Sequence, residues 1–579
     1  MSLLASIPAS ELKRALQDRH EEMAILDVGE EGEFGEGHLL RASHAPFSLL
    51  ESCVPTLVPR RQTRVVLVDH GSGIAARAAE RLAAMGYTRL QVLEGGCKAW
   101  ADAGYELFNG SYVPSKAYGE WLADRLETPQ IDAATLKALR TESADKIVVL
   151  DPRTQAEHAA RHVPGSVACP GAELAYRVDD LAGRDTTLVV VACGGRTRGL
   201  VGAQTLIDAG IPYPVAALAD GNHGWQLAGF SLEEGTGADL SPVTPETRTL
   251  AVDRARALRQ AYRIARVDDR TLSQWQLDGT RTTCILDVRT RPEFDAHHRP
   301  GSIHAAGGQL LQATDRWVAV RGARLVLVDD EGVRATSVAV HLQRMGWDVS
   351  VFELANVPTP HAATDTPRWA AGSLAADRAA RVDTPRVAVD VPVKKISTHQ
   401  AWSLLALPTG SEVGRMALDA APSGEFISGT ASGESWTAHW AHRARLDRWI
   451  EFAVQGWQLI VFSGDGLAAS LLAHELQILC PQADVRVVNG GLQQWLADGY
   501  PTSLPVPLAK EDRIDTLFWA SERRHGNAAA MRLYLDWEHQ LLTQVLCDEP
   551  DFPSHSAGLQ AAHSAPSPVS YTHLRAHET

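Results

Sequence analysis

One spacing recurs four times in this chain and constrains its fold more than any other feature. An apolar run closes on Leu-Asp at Asp27, Asp151, Asp287 and Asp419, and a second closes on a polar turn at Asp69, Cys193, Asp329 and Ser463. The first three pairs are 42 residues apart and the fourth 44, while successive Leu-Asp phrases are 124, 136 and 132 residues apart. A period of that size repeats a whole domain and not a solenoid unit. Each second run (VVLVD, LVVVA, LVLVD, LIVFS) is rich in β-branched residues and leads into an amphipathic helical stretch. Runs of that kind are strands buried on both faces of a parallel sheet, with crossover helices covering it. A third phrase, Gly-Gly or Asp-Gly followed by Trp, closes three repeats at Trp100, Trp225 and Trp495. The third repeat reads VFELANVPTP instead, and truncation or remodelling is expected there.

The expected architecture is therefore α/β, with four tandem units over 1–115, 125–235, 260–365 and 395–505. Each should hold a parallel sheet of about five strands flanked by helices. The stretch 232–250 is rich in Gly, Pro and Thr and reads as a linker between halves. The stretch 358–394 stands where the closing phrase of the third unit is lost. Residues 510–550 read as one or two amphipathic helices whose Trp and Leu residues should dock on the fourth unit. Residues 553–579 have no periodicity and read as disordered; the final SYTHLRAHET looks like translated adapter sequence and is set aside.

Charge excludes some function classes. Across 579 residues, 55 Lys and Arg face 70 Asp and Glu, a net charge of −15. That balance argues against a nucleic-acid surface or docking on anionic membranes. No apolar run approaches the length of a membrane-spanning helix. The opening MSLLASIPASELKRAL is too short in apolar residues for a leader and reads as a helix start at Pro8 and Ser10. Seven scattered cysteines without a CxxC form neither a disulfide framework nor a zinc cage, which fits a reducing cytoplasm.

These phrases resemble the rhodanese (sulfurtransferase) family. Its pattern is a strand ending in Asp-x-Arg, an acidic residue, a Gly-His-Ile-x-Gly-Ser/Ala segment, a Cys-headed loop ending in Arg, and a Gly-Gly-x-x-x-Trp segment. Asp151, Arg153, Glu157, His162, Val163, Gly165 and Ser166 match the first part, as do Asp287, Arg289, Glu293, Gly301 and Ser302. The fourth repeat, reading DAAPSGEF, has lost the Arg. The resemblance covers roughly 8–110, 128–235, 265–360 and 395–503, and implies four rhodanese-like units. Tandem members pair an inactive first domain with an active second one, so units three and four would be an inactive copy of units one and two.

Ligands of parallel sheets bind where strand C-termini meet helix N-termini. Only the second such loop begins with cysteine: Cys193, Gly194, Gly195, Arg196, Thr197, Arg198. Amides at a helix N-terminus favour an anion, so the Cys193 thiol is expected to titrate low and to carry a persulfide. Gly194 and Gly195 would let the backbone curl. Arg196 and Arg198 would orient an anionic donor beside Thr197, with Arg198 at the family's loop-closing position. Cys-based phosphatases use Cys-x5-Arg; the tighter Cys-x4-Arg here suits a single sulfur atom. Asp69 and Asp329 are poor nucleophiles, and Ser463 has no neighbouring base, so the first, third and fourth units are expected to be inactive.

Among the other cysteines, Cys97 and Cys169 read as core residues, with a resolving role for Cys169 as the rarer option; Cys53, Cys284, Cys480 and Cys547 carry no loop signature. The pairs His297–His298 and His439–His442 are weak metal signals. Arg153–Glu157 and Arg289–Glu293 read as structural ion pairs. No metal or cofactor is expected. The resemblance implies sulfur transfer from thiosulfate or 3-mercaptopyruvate to a thiol or cyanide, without nucleic-acid or membrane partners. A protein sulfur acceptor and a homodimer stay open. The alternative is a non-catalytic sulfur carrier or regulatory scaffold built on three dead units.

Overall fold

Each repeat builds the same sheet. In the first, strands Ala5–Ile7, Met23–Asp27, Ala42–His44, Arg64–Val68 and Arg89–Leu93 pair in parallel, in the spatial order first, fifth, fourth, second, third. The order recurs in the second repeat (Gln130–Ile131, Ile147–Asp151, Val167–Ala168, Leu188–Val191, Val215–Leu218). It recurs again in the third (Ala265–Arg266, Thr283–Asp287, Ile303–His304, Arg324–Asp329, Asp348–Glu353) and the fourth (Lys394–Ile396, Arg415–Asp419, His439–Trp440, Gln458–Phe462, Val485–Val488). The structure is a computed structural model; it describes residues 5–18, 21–183, 185–235, 241–354, 384–407, 414–464, 466–523 and 526–553. The proposed disordered tail from 554, the adapter-like end and most of 358–394 lie outside the described residues.

The order places the fourth strand, an uninterrupted apolar run, at the centre of each sheet. Val65 to Val68, Val189 to Val191, Leu325 to Val328 and Leu459 to Phe462 are all buried, as a strand covered on both faces must be. The fourth strand is central, and its C-terminus opens onto a helix: Ile74–Ala84, Thr197–Asp208, Val333–Arg344 or Leu467–Leu479. The closing Trp residues Trp100, Trp225 and Trp495 are buried beside their own sheets.

The chain divides into two compact units, and the division corrects the expected pairing of the repeats. One unit holds the first and fourth repeats; the other holds the second and third, together with the C-terminal segment. Buried ion pairs inside each unit provide the reason. In the unit of the first and fourth repeats, Arg443 binds Glu51 through two nitrogens at 2.5 and 2.6 Å, and Glu475 takes Arg77, Arg81 and Arg443 at 2.8, 3.0 and 2.9 Å. In the other unit, Arg334 of the third repeat reaches Glu173 of the second at 2.9 Å, and Arg344 clasps Asp208 at 2.6 and 2.9 Å. Gly171 and Gly308 pack backbone to backbone there: a Cβ on Gly171 would lie 3.1 Å from Gly308 Cα.

Two further expectations are revised. The linker over 232–250 becomes helix from Pro245, and Pro245–Tyr262 is capped by Thr244 and tied to the second repeat by Thr244–Asp180 and Arg254–Asp179 bonds. The long helix of the C-terminal extension, Ala528–Asp548, does not belong to the fourth repeat. Its buried face (Tyr534, Leu535, Glu538, Leu541) lies in the unit of the second repeat, against the inter-repeat helix Val113–Arg125. Trp537 and Tyr534 receive Lys116 of that helix over their rings, at 4.3 and 5.1 Å. Among the described residues no helix is long and apolar enough to cross a membrane.

Candidate active site

The four loops after the central strands bind something at the same backbone amide, six residues beyond the loop's first residue. Asp69 accepts from the N–H of Gly71 and Ala75 at 2.9 and 3.0 Å. Asp329 accepts from Arg334 and Ala335 at 2.8 and 3.3 Å. Ser463 Oγ accepts from Gly466 and Ala469 at 3.0 and 3.3 Å. In the second repeat the sulfur of Cys193 takes this place, facing the Gly199 amide. Two of the four repeats therefore fill the nest with a carboxylate, which is what helix N-terminal amides attract. The helix of the closing phrase braces the loop from the other side: Cys97, Asn222 and Leu492 each donate an N–H at 2.8 Å to the carbonyl of Asp69, Cys193 and Ser463. The preceding glycine must be glycine, because a Cβ on Gly221 would stand 2.2 Å from the Cys193 carbonyl oxygen.

Cys193 is buried, at 2 % exposed. Burial pushes its thiol above the ordinary range; Arg198 and the Gly199 amide pull it down, while Glu538 and Asp151 push it further up. The low-titrating thiol expected from the loop alone is therefore corrected: the helix N-terminus is present, but desolvation outweighs it. Gly194 and Gly195 sit at the loop's turn without positive φ. What demands a small residue at 195 is close approach, since a Cβ there would lie 3.2 Å from Glu538 Oε2 and 3.5 Å from Tyr534.

The two arginines are already paired. Arg198 Nη1 and Nη2 donate to Glu157 at 2.8 and 2.7 Å; burial opposes the charge of Glu157, but Arg198 and Arg153 hold its carboxyl below the usual range. Arg196 donates to Glu120 at 2.7 and 2.9 Å and to Asp220 at 2.9 Å, and it is buried. Arg196 thus faces carboxylates of its own unit. Burial lifts the Glu120 carboxyl above its usual range despite this pair. Thr197 opens the helix, and its hydroxyl donates to Glu538 Oε1 at 2.6 Å. The expected Arg153–Glu157 and Arg289–Glu293 pairs are replaced by a shorter reach: Arg153 binds Asp151 at 2.6 Å and Arg289 binds Asp287 at 2.7 Å, two residues back along the strand end. Glu293 pairs with Arg334 at 2.8 Å, repeating in the third unit the Glu157–Arg198 clasp of the second.

Glu120, Glu538 and Tyr534 escaped the sequence reading. They come from the inter-repeat helix and the C-terminal helix, and carry no motif of their own. The remaining cysteines Cys53, Cys97, Cys169, Cys284 and Cys480 are buried and Cys547 is exposed. Cys169 lies wholly inside the core beside Leu150, Leu174 and Val191. Among the described residues, one trio brings metal-type donors together: Asp27, His70 and Cys97, with donor atoms within 4.8 Å. His70 Nε2 lies 3.1 Å from Asp27 and stands in for the Arg that partners Asp151 and Asp287, which the first repeat (DVG) lacks. The His297–His298 and His439–His442 pairs join no such cluster.

A repeated first–fifth–fourth–second–third parallel sheet with a Cys-headed nest over a helix defines a class, and comparison with known proteins agrees. The profile of the Rhodanese-like domain matches residues 8–103, 132–228 and 270–355, and the chain belongs to the rhodanese family. In particular, it is similar to the thiosulfate sulfurtransferase from Pseudomonas aeruginosa, at 37 % identity and a TM-score of 0.82, over 94 % of this chain and 98 % of that one. It is also 33 % identical over 114 residues to an HTH-type transcriptional regulator of Mycobacterium tuberculosis, covering 20 % of this chain and 49 % of the regulator. The chain thus spans about half the length of that curated relative. The fourth repeat keeps the sheet order but lies outside the matched ranges; in it Thr430, not an Arg, meets Asp419 at 2.6 Å.

Proposed function

We propose that the second repeat moves sulfane sulfur through a persulfide on Cys193, and that the other three repeats are folded, non-catalytic domains. The observation that supports this most directly is the comparison of the four nests. Asp69, Asp329 and Ser463 fill theirs with side chains that cannot carry sulfur, and Cys193 places a thiol at the same amide. The nucleophile attacks the outer sulfur of the donor, the donor's remainder leaves, and the nest holds the terminal sulfur until a thiol or cyanide removes it. Similarity to a protein named thiosulfate sulfurtransferase supports the reaction class. Thiosulfate and 3-mercaptopyruvate are the donors to try first.

The test is cyanide-dependent thiocyanate formation by the full chain, with Cys193→Ala as control. Mass spectrometry after donor treatment should show about +32 Da, one sulfur atom, on the peptide with Cys193. Turnover that survives Cys193→Ala, or label on Cys97 or Cys480, would reject the assignment. Stoichiometric labelling without turnover would favour the carrier or scaffold reading instead.

A further inference from the structure

The C-terminal helix brings the carboxyl group of Glu538 against the Cys193 loop. Glu538 is 1 % exposed. Its Oε1 accepts from Thr197 at 2.6 Å, and its Oε2 is buried 3.2 Å from where a Cβ on Gly195 would be, with Tyr534 alongside. The loop's cations do not offset it, because Arg196 is held by Glu120 and Asp220, and Arg198 by Glu157. Lys116 and Arg523 lie over the face of Tyr534, at 5.1 and 3.6 Å, and His539 sits 3.3 Å from Asp220. A donor approaching Cys193 therefore meets a fixed carboxylate beside the thiol, in a buried setting where charge repulsion is weakly screened.

We propose that Glu538 is a specificity-determining residue, an internal anion that disfavours sulfur donors in proportion to their negative charge. This inference rests on the sulfurtransferase reading of Cys193. The step it tunes is balanced: the Cys193 thiolate forms a bond to the donor's outer sulfur while the sulfur–sulfur bond to the sulfonyl group breaks. The electron pair leaves as sulfite from thiosulfate, a dianion, or as methanesulfinate from methanethiosulfonate, a monoanion. The two donors present the same reacting sulfur and differ by one charge.

The experiment is the ratio of kcat/KM for thiosulfate to that for methanethiosulfonate, with cyanide as acceptor, in the full chain. Both donors read the same active fraction, so the ratio is insensitive to partial misfolding of a variant. Glu538→Gln and Glu538→Ala should each raise the ratio roughly a hundredfold, the factor for about 2.8 kcal/mol, as one extra charge about 6 Å away at an effective dielectric of about 20 predicts. Glu538→Asp, which keeps the charge, and Asp536→Asn on the exposed face of the same helix should leave the ratio within about twofold. An unchanged ratio in Glu538→Gln with Cys193 still labelled by both donors would overturn the inference and leave the sulfurtransferase reading intact. An equal shift from Asp536→Asn would overturn it as a net-charge effect. Failure of both donors to label Cys193 in every variant would overturn the sulfurtransferase reading, and this inference with it.

Discussion

Replacing Arg196 separates a structural role from a substrate-reading one. Its guanidinium is 7 % exposed and makes two bonds to Glu120, at 2.7 and 2.9 Å, and one to Asp220 at 2.9 Å. Arg196→Ala would strand Glu120, itself 6 % exposed, as an uncompensated buried charge. Breaking such a pair costs about 3–5 kcal/mol, while the Asp220 contact, with its carboxylate partly in solvent, adds at most about 1 kcal/mol. Because burial already lifts the Glu120 carboxyl, losing its partner lifts it further. A carboxyl raised in the folded state takes up a proton on folding, so the destabilisation should be smaller near pH 5 than near pH 8. Urea unfolding at both pH values, with hydrogen exchange of peptides in 113–125 and 188–208, measures this, and a cycle with Glu120→Gln should return a coupling of at least about 2 kcal/mol. Unfolding of Arg196→Ala at the wild-type midpoint, with a selective loss of kcat/KM for thiosulfate, would refute a structural role. Arg196 would then be the donor reader that the loop sequence suggests.

Other outcomes follow from buried titratable groups. The Glu475 carboxyl is held down to about 2 against the opposing effect of burial, by Arg81, Arg443 and Arg77. Its stabilisation, about 3 kcal/mol at ~1.4 kcal/mol per pKa unit, should be complete above about pH 5 and vanish as pH falls from 4.5 to about 2; Glu475→Gln should lose it at neutral pH and flatten that acid limb. His341 is pushed down to about 3 by burial and by Arg344, and it lies 2.8 Å from both Tyr118 Oη and Thr205 Oγ1. The Thr205 hydroxyl also donates to the Val201 carbonyl, so it accepts from Nε2–H and leaves Nδ1 to accept from Tyr118. Unfolding releases a histidine that protonates below 6.5, so stability should fall as pH drops from 6.5 toward 3, and His341→Phe should remove this dependence while leaving both hydroxyls short of a partner. Persulfide formation on Cys193 should still be accelerating at about pH 9 because its thiol is raised; a plateau below about pH 7 in a stopped-flow pH profile would contradict the desolvated setting described here.

The periodic parts of this protein were readable before folding. The Leu-Asp phrases and the 42-residue step set four parallel sheets, because a strand buried on both faces must be an uninterrupted apolar run and its helix must start within a short polar turn. The Cys193 nest was equally local: nucleophile, amides and closing Arg198 lie within six residues. The partners of that nest are another matter. Glu120 and Glu538 lie 73 residues before and 345 after Cys193, on helices whose motifs advertise no chemistry. Glu120 takes two hydrogen bonds from Arg196 and Glu538 takes one from Thr197, while burial first and Glu538 second lift the thiol that the loop alone would lower. Which repeat packs with which was also a tertiary decision, since Arg443–Glu51 and Arg344–Asp208 join positions far apart in the chain. Local pattern is written by backbone geometry and burial, whereas charge compensation depends on which side chains the fold brings within a few ångströms. A sequence period carries no information about that distance.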